Sequence, residues 1–147
     1  MNRQIQDFIE GKRVAVVGAS QKDRNKFGNL AASELRRRGY QVYLVHPQAV
    51  SISGERTYPN LEALRGQVDG VLISLPPAKS PTVLQDAAAL GLRNVWIQQG
   101  GESAELVDLG KQLELNLVTG RCILMYAQPV RGMHSLHRWI ARLTGQL

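Results

Sequence analysis

Residues 13–39 constrain the fold of this chain more than any other segment, because they combine three patterns in a fixed order. Arg13–Val17 is a short apolar run rich in β-branched residues, and Gly18 ends it. A polar loop follows, and a helical pattern of apolar residues begins near Phe27 and stops at Gly39. A strand, a glycine-containing loop and a helix bring backbone N–H groups and the positive end of a helix towards phosphate. We therefore predict a site for an anionic ligand here.

The same alternation of strand and helix continues along the chain. It predicts a parallel, doubly wound α/β sheet of about five strands with helices on both faces, in three layers. We expect the third predicted strand to lie outside the second, so that the order is 3-2-1-4-5 with Gly18 beside the switch point. Residues 48–58 show no regular pattern. No linker divides residues 1–147, so we interpret the chain as a single domain. We expect it to end in a helix over about 129–144. The predicted strands are Arg13–Val17, Gln41–Val45, Asp69–Leu75, Asn94–Gln98 and Leu115–Thr119.

Charge and cysteine content limit the classes of partner and location. The chain has 18 Lys and Arg against 12 Asp and Glu, a formal charge of +6, which favours an anionic partner. Aromatic residues do not interleave with the basic ones, so nucleic acid is disfavoured. The single cysteine, Cys122, fits a reducing compartment, and no apolar stretch approaches membrane-spanning length. We expect a cytoplasmic protein.

Candidate site residues directly follow the predicted strands, because ligands of such folds bind at the carboxyl ends of the strands. Each of these strand ends carries a glycine, proline, serine or amide residue, a pattern that suits a bound nucleotide better than acid–base catalysis. No metal-ligand set is complete, and no catalytic pair is evident, so the residues support no enzyme activity and exclude none. The candidates are Gly18, Ala19 and Ser20, then His46 and Pro47, then Ser74 to Pro77, and finally Gln98 to Gly101.

The end of the second strand bears on the identity of the nucleotide. Dinucleotide-binding folds place an acidic residue there for the ribose hydroxyls, whereas this chain has His46-Pro47. The G-x-G-x-x-G fingerprint and the P-loop are both absent from the sequence. These absences count against an NAD(P)-dependent oxidoreductase or another enzyme that uses a dinucleotide. We keep such an enzyme as the alternative to a binding module.

A set of short motifs, weak singly but specific in this order, resembles the stand-alone CoA-binding proteins. These are similar to the N-terminal domain of the succinyl-CoA ligase α subunit, and the resemblance covers roughly residues 8–123. It implies a Rossmann-like domain that holds coenzyme A or an acyl-CoA across the strand ends, as a non-catalytic or regulatory module. The motifs are VAVVGAS at 14–20, KFGN at 26–29, His46-Pro47, Asp69-Gly70-Val71, Pro76-Pro77 and WIQQG at 96–100.

The resemblance also implies roles for individual residues. It implies two sets of residues, one that contacts the phosphates and one that lies along the path of the adenosine and pantetheine. That family usually has Asn-Pro where this chain has His46-Pro47, which leaves the role of this side chain open. The residues that would cradle phosphate are Gly18, Ala19, Ser20 and Lys26. The residues that would shape the adenosine and pantetheine path are His46, Pro47, Ser74, Leu75, Pro76, Gln99 and Gly100.

Several residues keep two interpretations. Lys22 and Arg24 either contact phosphate or form a solvated loop. Cys122 is either an inert packed thiol or one that exchanges with CoA. Gly18→Val is expected to abolish ligand binding and to leave the protein folded. The basic face of the terminal helix leaves room for a homo-oligomer or a protein partner.

Overall fold

The computed structural model describes residues 2–129, which form four α-helices and seven β-strands. The helices are α1 (Arg3–Glu10), α2 (Phe27–Arg37), α3 (Pro81–Ala89) and α4 (Ala104–Gln112). The strands are β1 (Arg13–Val17), β2 (Gln41–Val45), β3 (Ser51–Ile52), β4 (Glu55–Tyr58), β5 (Gly70–Ile73), β6 (Asn94–Gln98) and β7 (Asn116–Arg121).

The described strands form one sheet in the order β3-β4-β2-β1-β5-β6-β7. All neighbouring pairs are parallel except β3 with β4. The predicted parallel α/β architecture is confirmed, but the predicted strand order is wrong. The third predicted strand corresponds to β5, which pairs with β1 and not with the outer side of β2. The switch point consequently lies between β1 and β5, and Gly18 still follows β1 directly.

The segment 48–58, predicted to be irregular, supplies the two strands that occupy the place beside β2. β4 pairs with β2 through Val45 and Tyr58, and β3 forms a hairpin with β4. The two residues between these strands, Ser53 and Gly54, have φ angles of 51° and 80°. Positive φ at both central residues is characteristic of the tight turns that join antiparallel strands. Because β4 covers the outer side of β2, β5 pairs with the other side of β1.

Alternate residues of the central strands point to opposite faces and build two cores, as expected for a sheet covered on both sides. Val16, Leu72 and Trp96 pack with apolar residues of α1 and α2. Val71 and Ile97 pack on the opposite face with residues of α3 and α4. The predicted three-layer arrangement is confirmed.

A buried arginine fixes the segment that follows β7. The guanidinium of Arg38, just beyond α2, donates to Glu34 at 2.8 Å and to the carbonyl oxygens of Leu124 at 2.7 Å and Ala127 at 3.0 Å. Beyond Pro129, the predicted terminal helix lies outside the described residues, as do His134 and His137.

Among residues 2–129, no helix combines the length and apolar character needed to cross a bilayer. The same residues contain no group of three or more His, Cys, Asp or Glu side chains placed to hold a metal ion.

Candidate functional site

A cleft of about 610 Å³ opens at the carboxyl ends of β1, β2 and β5. This volume is within the usual range of small-molecule sites. Its position agrees with the rule that open α/β sheets bind ligands at the switch point. Of the predicted site residues, those lining the cleft are Gly18, Ala19, Ser20, Lys26, His46, Pro47, Ser74, Leu75 and Pro76.

Gln99 and Gly100 are predicted site residues that do not line this cleft. They are exposed in the turn after β6, where the Gly100 amide donates to Glu102 at 2.9 Å. A Cβ atom on Gly101 would lie 2.9 Å from the Leu75 carbonyl oxygen, so this turn packs against the backbone of the cleft margin. The turn supports the cleft from outside.

Gly18 is required by packing as well as by backbone conformation. Its φ is +127°, and a Cβ atom there would lie only 2.1 Å from the carbonyl oxygen of Ser74. Gly28, in the first turn of α2, has a similar constraint, since its Cβ would lie 2.6 Å from the carbonyl oxygen of Gly18. The two glycines let the end of β5, the loop and α2 approach closely. The expectation that a larger residue at 18 leaves the fold intact is therefore revised.

The loop after Gly18 is held by its own hydrogen bonds. The Ser20 amide donates to Asn29 Oδ1 at 2.7 Å, and Asn29 Nδ2 donates to the Ser20 carbonyl at 2.9 Å. Ser20 Oγ accepts from the amides of Lys22 at 3.2 Å and Asp23 at 3.0 Å. The Ser20 amide thus already has a partner, whereas its hydroxyl hydrogen can still be donated to a ligand.

The N-terminus of α2 has the electrostatic character of an anion site. Lys26 is its N-cap residue and makes no side-chain capping bond, and the first turn contains no acidic residue. The first amides of a helix lack intrahelical partners, and the helix dipole adds positive potential at this end. A lysine there is unfavourable for the helix alone and favourable once an anion binds. Lys22 and Arg24 are exposed on the same loop but do not line the cleft.

His46 organises the turn after β2. Its Nδ1 accepts hydrogen bonds from the amides of Gln48 at 3.1 Å and Ala49 at 2.9 Å. An acceptor nitrogen carries no proton, so these contacts assign the neutral tautomer with hydrogen on Nε2. An asparagine Oδ1 accepts from backbone amides in the same way in an Asx turn. The histidine can therefore take the structural part of asparagine at this position.

Sequence reasoning missed the wall that α3 and the segment after β4 contribute. Four residues of α3 and of the turn before it line the cleft: Lys79, Thr82, Val83 and Asp86. Thr82, Val83 and Asp86 follow Lys79 by three, four and seven residues, a helical spacing that is visible in the sequence. Pro59, Asn60 and Leu61, which follow β4, also line the cleft, together with Gln48.

Cys122 lies away from this cleft. It is half-buried after β7, immediately before the short 3-10 turn Ile123–Met125, and packs against the core on the side of α1 and α2. It is not among the residues that line the cleft. The position of Cys122 gives no support to the alternative interpretation, in which this thiol exchanges with CoA.

Residues 12–128 match the family described as the CoA binding domain. The chain belongs to this family. The match covers nearly all the described residues and confirms the resemblance seen in the sequence motifs.

Relatives of this CoA-binding domain protein include both large ligases and small proteins. The α subunit of an ADP-forming acetate–CoA ligase II from Pyrococcus furiosus is 24% identical over 127 residues. The alignment spans 79% of this chain but only 28% of that relative.

Two solved structures show the same contrast in size. A conserved hypothetical protein from Pyrococcus furiosus is 30% identical with a TM-score of 0.71, over 76% of this chain and 96% of that one. A dinucleotide-forming acetyl-coenzyme A synthetase 1 from Ca. Korarchaeum cryptofilum is 26% identical with a TM-score of 0.60, over 72% of this chain and 25% of that one.

Proposed function

We propose that this CoA-binding domain protein binds coenzyme A, free or acylated, in the cleft, and that it acts as a binding or regulatory module in the cytoplasm. The observation that carries the proposal is the α2 N-terminus. Lys26, at the N-cap, and the first amides of an uncapped helix meet the cleft beside the glycine loop. Together they offer hydrogen-bond donors and positive potential to a pyrophosphate.

The lining of the cleft supports an orientation for the ligand. Phosphate contacts are assigned to Lys26, to the backbone at Gly18 and Ala19, and to the Ser20 hydroxyl. The apolar side chains of Val45 and Leu61 suit the faces of an adenine ring, because base faces bury well against apolar groups. His46 and Pro47 shape the same region as Ser74, Leu75 and Pro76. The pantetheine arm is proposed to leave beside Leu75 towards Gln99 and Gly100, which lie outside the cleft.

Calorimetry with CoA and with NAD in one low-salt buffer tests this proposal. CoA should bind clearly and NAD weakly, because the end of β2 provides His46 and no carboxylate for the ribose hydroxyls. A comparable affinity for NAD would support the NAD(P)-dependent oxidoreductase alternative.

Lys26→Gln tests the phosphate contact within that experiment. Losing one charge-assisted hydrogen bond at an exposed site should weaken CoA binding about tenfold. Lys111→Gln is the matched control, since Lys111 is exposed in the last turn of α4 and does not line the cleft. Equal affinities for the two variants would contradict the assignment of Lys26.

A further inference from the structure

One side of α3 presents a chemically graded surface to the cleft. Lys79, Thr82, Val83 and Asp86, here called the α3 stripe, are spaced i, i+3, i+4 and i+7, so they fall on one helical face. Lys79 belongs to the short 3-10 turn that precedes α3, and the other three residues belong to α3. An ammonium group, a hydroxyl, an apolar side chain and a carboxylate thus follow one another along the ligand cleft.

The two charged ends of the α3 stripe are not engaged elsewhere. Lys79 and Asp86 are exposed, and neither side chain has a hydrogen bond or ion pair within residues 2–129. Lys79 and Asp86 are seven residues apart in the chain, which is about 10 Å at the rise of an α-helix. The two side chains form no ion pair with each other. Their charges therefore remain available to a ligand.

A ligand that is only an anion does not account for Asp86. Among the residues that line the cleft, Asp86 has the only carboxylate, and its charge is opposite to that of Lys26 and Lys79. A carboxylate accepts hydrogen bonds and repels phosphate. The stripe is complementary to a group that carries an anion at one end and a hydrogen-bond donor at the other, with an apolar ring between them.

We propose that the α3 stripe recognises the 3′-phosphoadenosine end of coenzyme A. Lys79 pairs with the 3′-phosphate, Val83 packs against the adenine ring, and Asp86 accepts a hydrogen bond from the exocyclic amino group. This inference rests on the proposed function and refines it. It divides the phosphates of CoA between two lysines, with the pyrophosphate at Lys26 and the 3′-phosphate at Lys79.

The α3 stripe also determines the direction in which the ligand lies. Repulsion by Asp86 disfavours any placement of the ribose phosphate near residue 86, whereas Lys79 stabilises it two turns away. Like-charge contacts that exclude the wrong arrangement are a general source of specificity. Asp86 is thus a specificity-determining residue that favours adenine, whose edge donates from an amino group.

The Lys79 contact is tested by calorimetry of CoA and dephospho-CoA, which differ by the 3′-phosphate. The unmutated protein should bind CoA about tenfold more tightly at low salt, a typical effect for one exposed charge-assisted contact. Lys79→Gln should bring the two affinities together, while Lys26→Gln should weaken both ligands alike. A preserved tenfold preference in Lys79→Gln would overturn the assignment.

The Asp86 contact is tested with CoA and 1,N6-etheno-CoA, whose modified base lacks the exocyclic amino hydrogens. The unmutated protein should bind CoA about tenfold more tightly than the etheno analogue. Asp86→Asn should lose most of that preference, because the asparagine amide can accept a hydrogen bond from adenine and donate one to the etheno base. Asn has nearly the shape of Asp, so a preference that persists in Asp86→Asn would be steric and would overturn the proposal. Asp108→Asn, at an exposed position of α4, is the matched control.

These outcomes separate the two proposals. Undetectable CoA binding by the unmutated protein overturns the proposed function and this inference with it. CoA binding with selectivities that neither variant changes leaves the proposed function standing and overturns the role of the α3 stripe.

Discussion

Replacement of Gly18 by alanine is the most informative perturbation of the loop, because it adds one methyl group at a defined contact. The new Cβ would lie 2.1 Å from the carbonyl oxygen of Ser74 and 2.7 Å from its carbonyl carbon. Both are backbone atoms, which cannot rotate away as a side chain could. Alanine would also have to adopt a φ of +127°, a conformation that L residues rarely take. We expect Gly18→Ala to lower the free energy of unfolding substantially.

The two costs can be given separate magnitudes. An unfavourable backbone conformation costs about 1–3 kcal/mol. Overpacking by a methyl group costs typically about 1–3 kcal/mol, and contact with backbone places Gly18 at the upper end. The expected loss of about 3–6 kcal/mol is a large part of the roughly 5–15 kcal/mol that stabilises an ordinary domain.

Urea denaturation followed by circular dichroism measures this loss, and two other glycines separate its causes. Gly100 has a φ of +97°, and a Cβ atom added there would meet no atom within 4 Å, so Gly100→Ala reports the backbone cost alone. Gly28 has no positive φ, but its Cβ would lie 2.6 Å from the Gly18 carbonyl oxygen, so Gly28→Ala reports the contact alone. If Gly18→Ala destabilises no more than Gly100→Ala, the contact with Ser74 is not limiting and the reasoning is refuted.

Two further predictions concern His46 and Asp69. His46→Asn should retain CoA binding in calorimetry, because the asparagine Oδ1 can accept hydrogen bonds from the amides of residues 48 and 49. His46→Ala should weaken CoA binding, because it removes that acceptor. Long-range ¹⁵N NMR of the unmutated protein should find the imidazole hydrogen on Nε2. Hydrogen bonds from the Arg13 guanidinium lower the pKa of Asp69, so its stabilising effect is present above about pH 4 and is lost as the pH falls through the folded-state pKa. The difference in unfolding free energy between the unmutated protein and Asp69→Asn should therefore shrink on acidification, and a constant difference would contradict this explanation.

Local patterns in the sequence were enough to find most elements and the edge of the sheet that holds the site. β1, β2 and β6 have the bounds predicted for them, because apolar, β-branched runs between glycine, proline or polar residues have few other stable conformations. The start of α2 at Phe27 was equally local, because the apolar spacing of its first turns is visible in the sequence.

The candidate site was predictable in part for the same reason. Parallel strands end at one edge, so residues that follow β1, β2 and β5 had to meet there in any order of those strands. Lys79 and Asp86 were missed because a helical stripe is recognisable as a site only once it is known which face meets the cleft. The role of Asn29 in holding Ser20 was missed because a side-chain amide gives no sign in the sequence of the backbone it will bind.

The sequence by itself thus determined the α/β class, the strand–glycine loop–helix unit and the strand ends that line the cleft. Only the tertiary structure decided that β4 occupies the outer side of β2, that β5 lies beside β1, and that the turn at 98–101 supports the cleft from outside. The physical reason is that burial is encoded residue by residue, whereas strand pairing is a contact between distant segments. An apolar run such as β5 shows that it must be covered, but not by which neighbours, because every interior position in the sheet would bury it equally well.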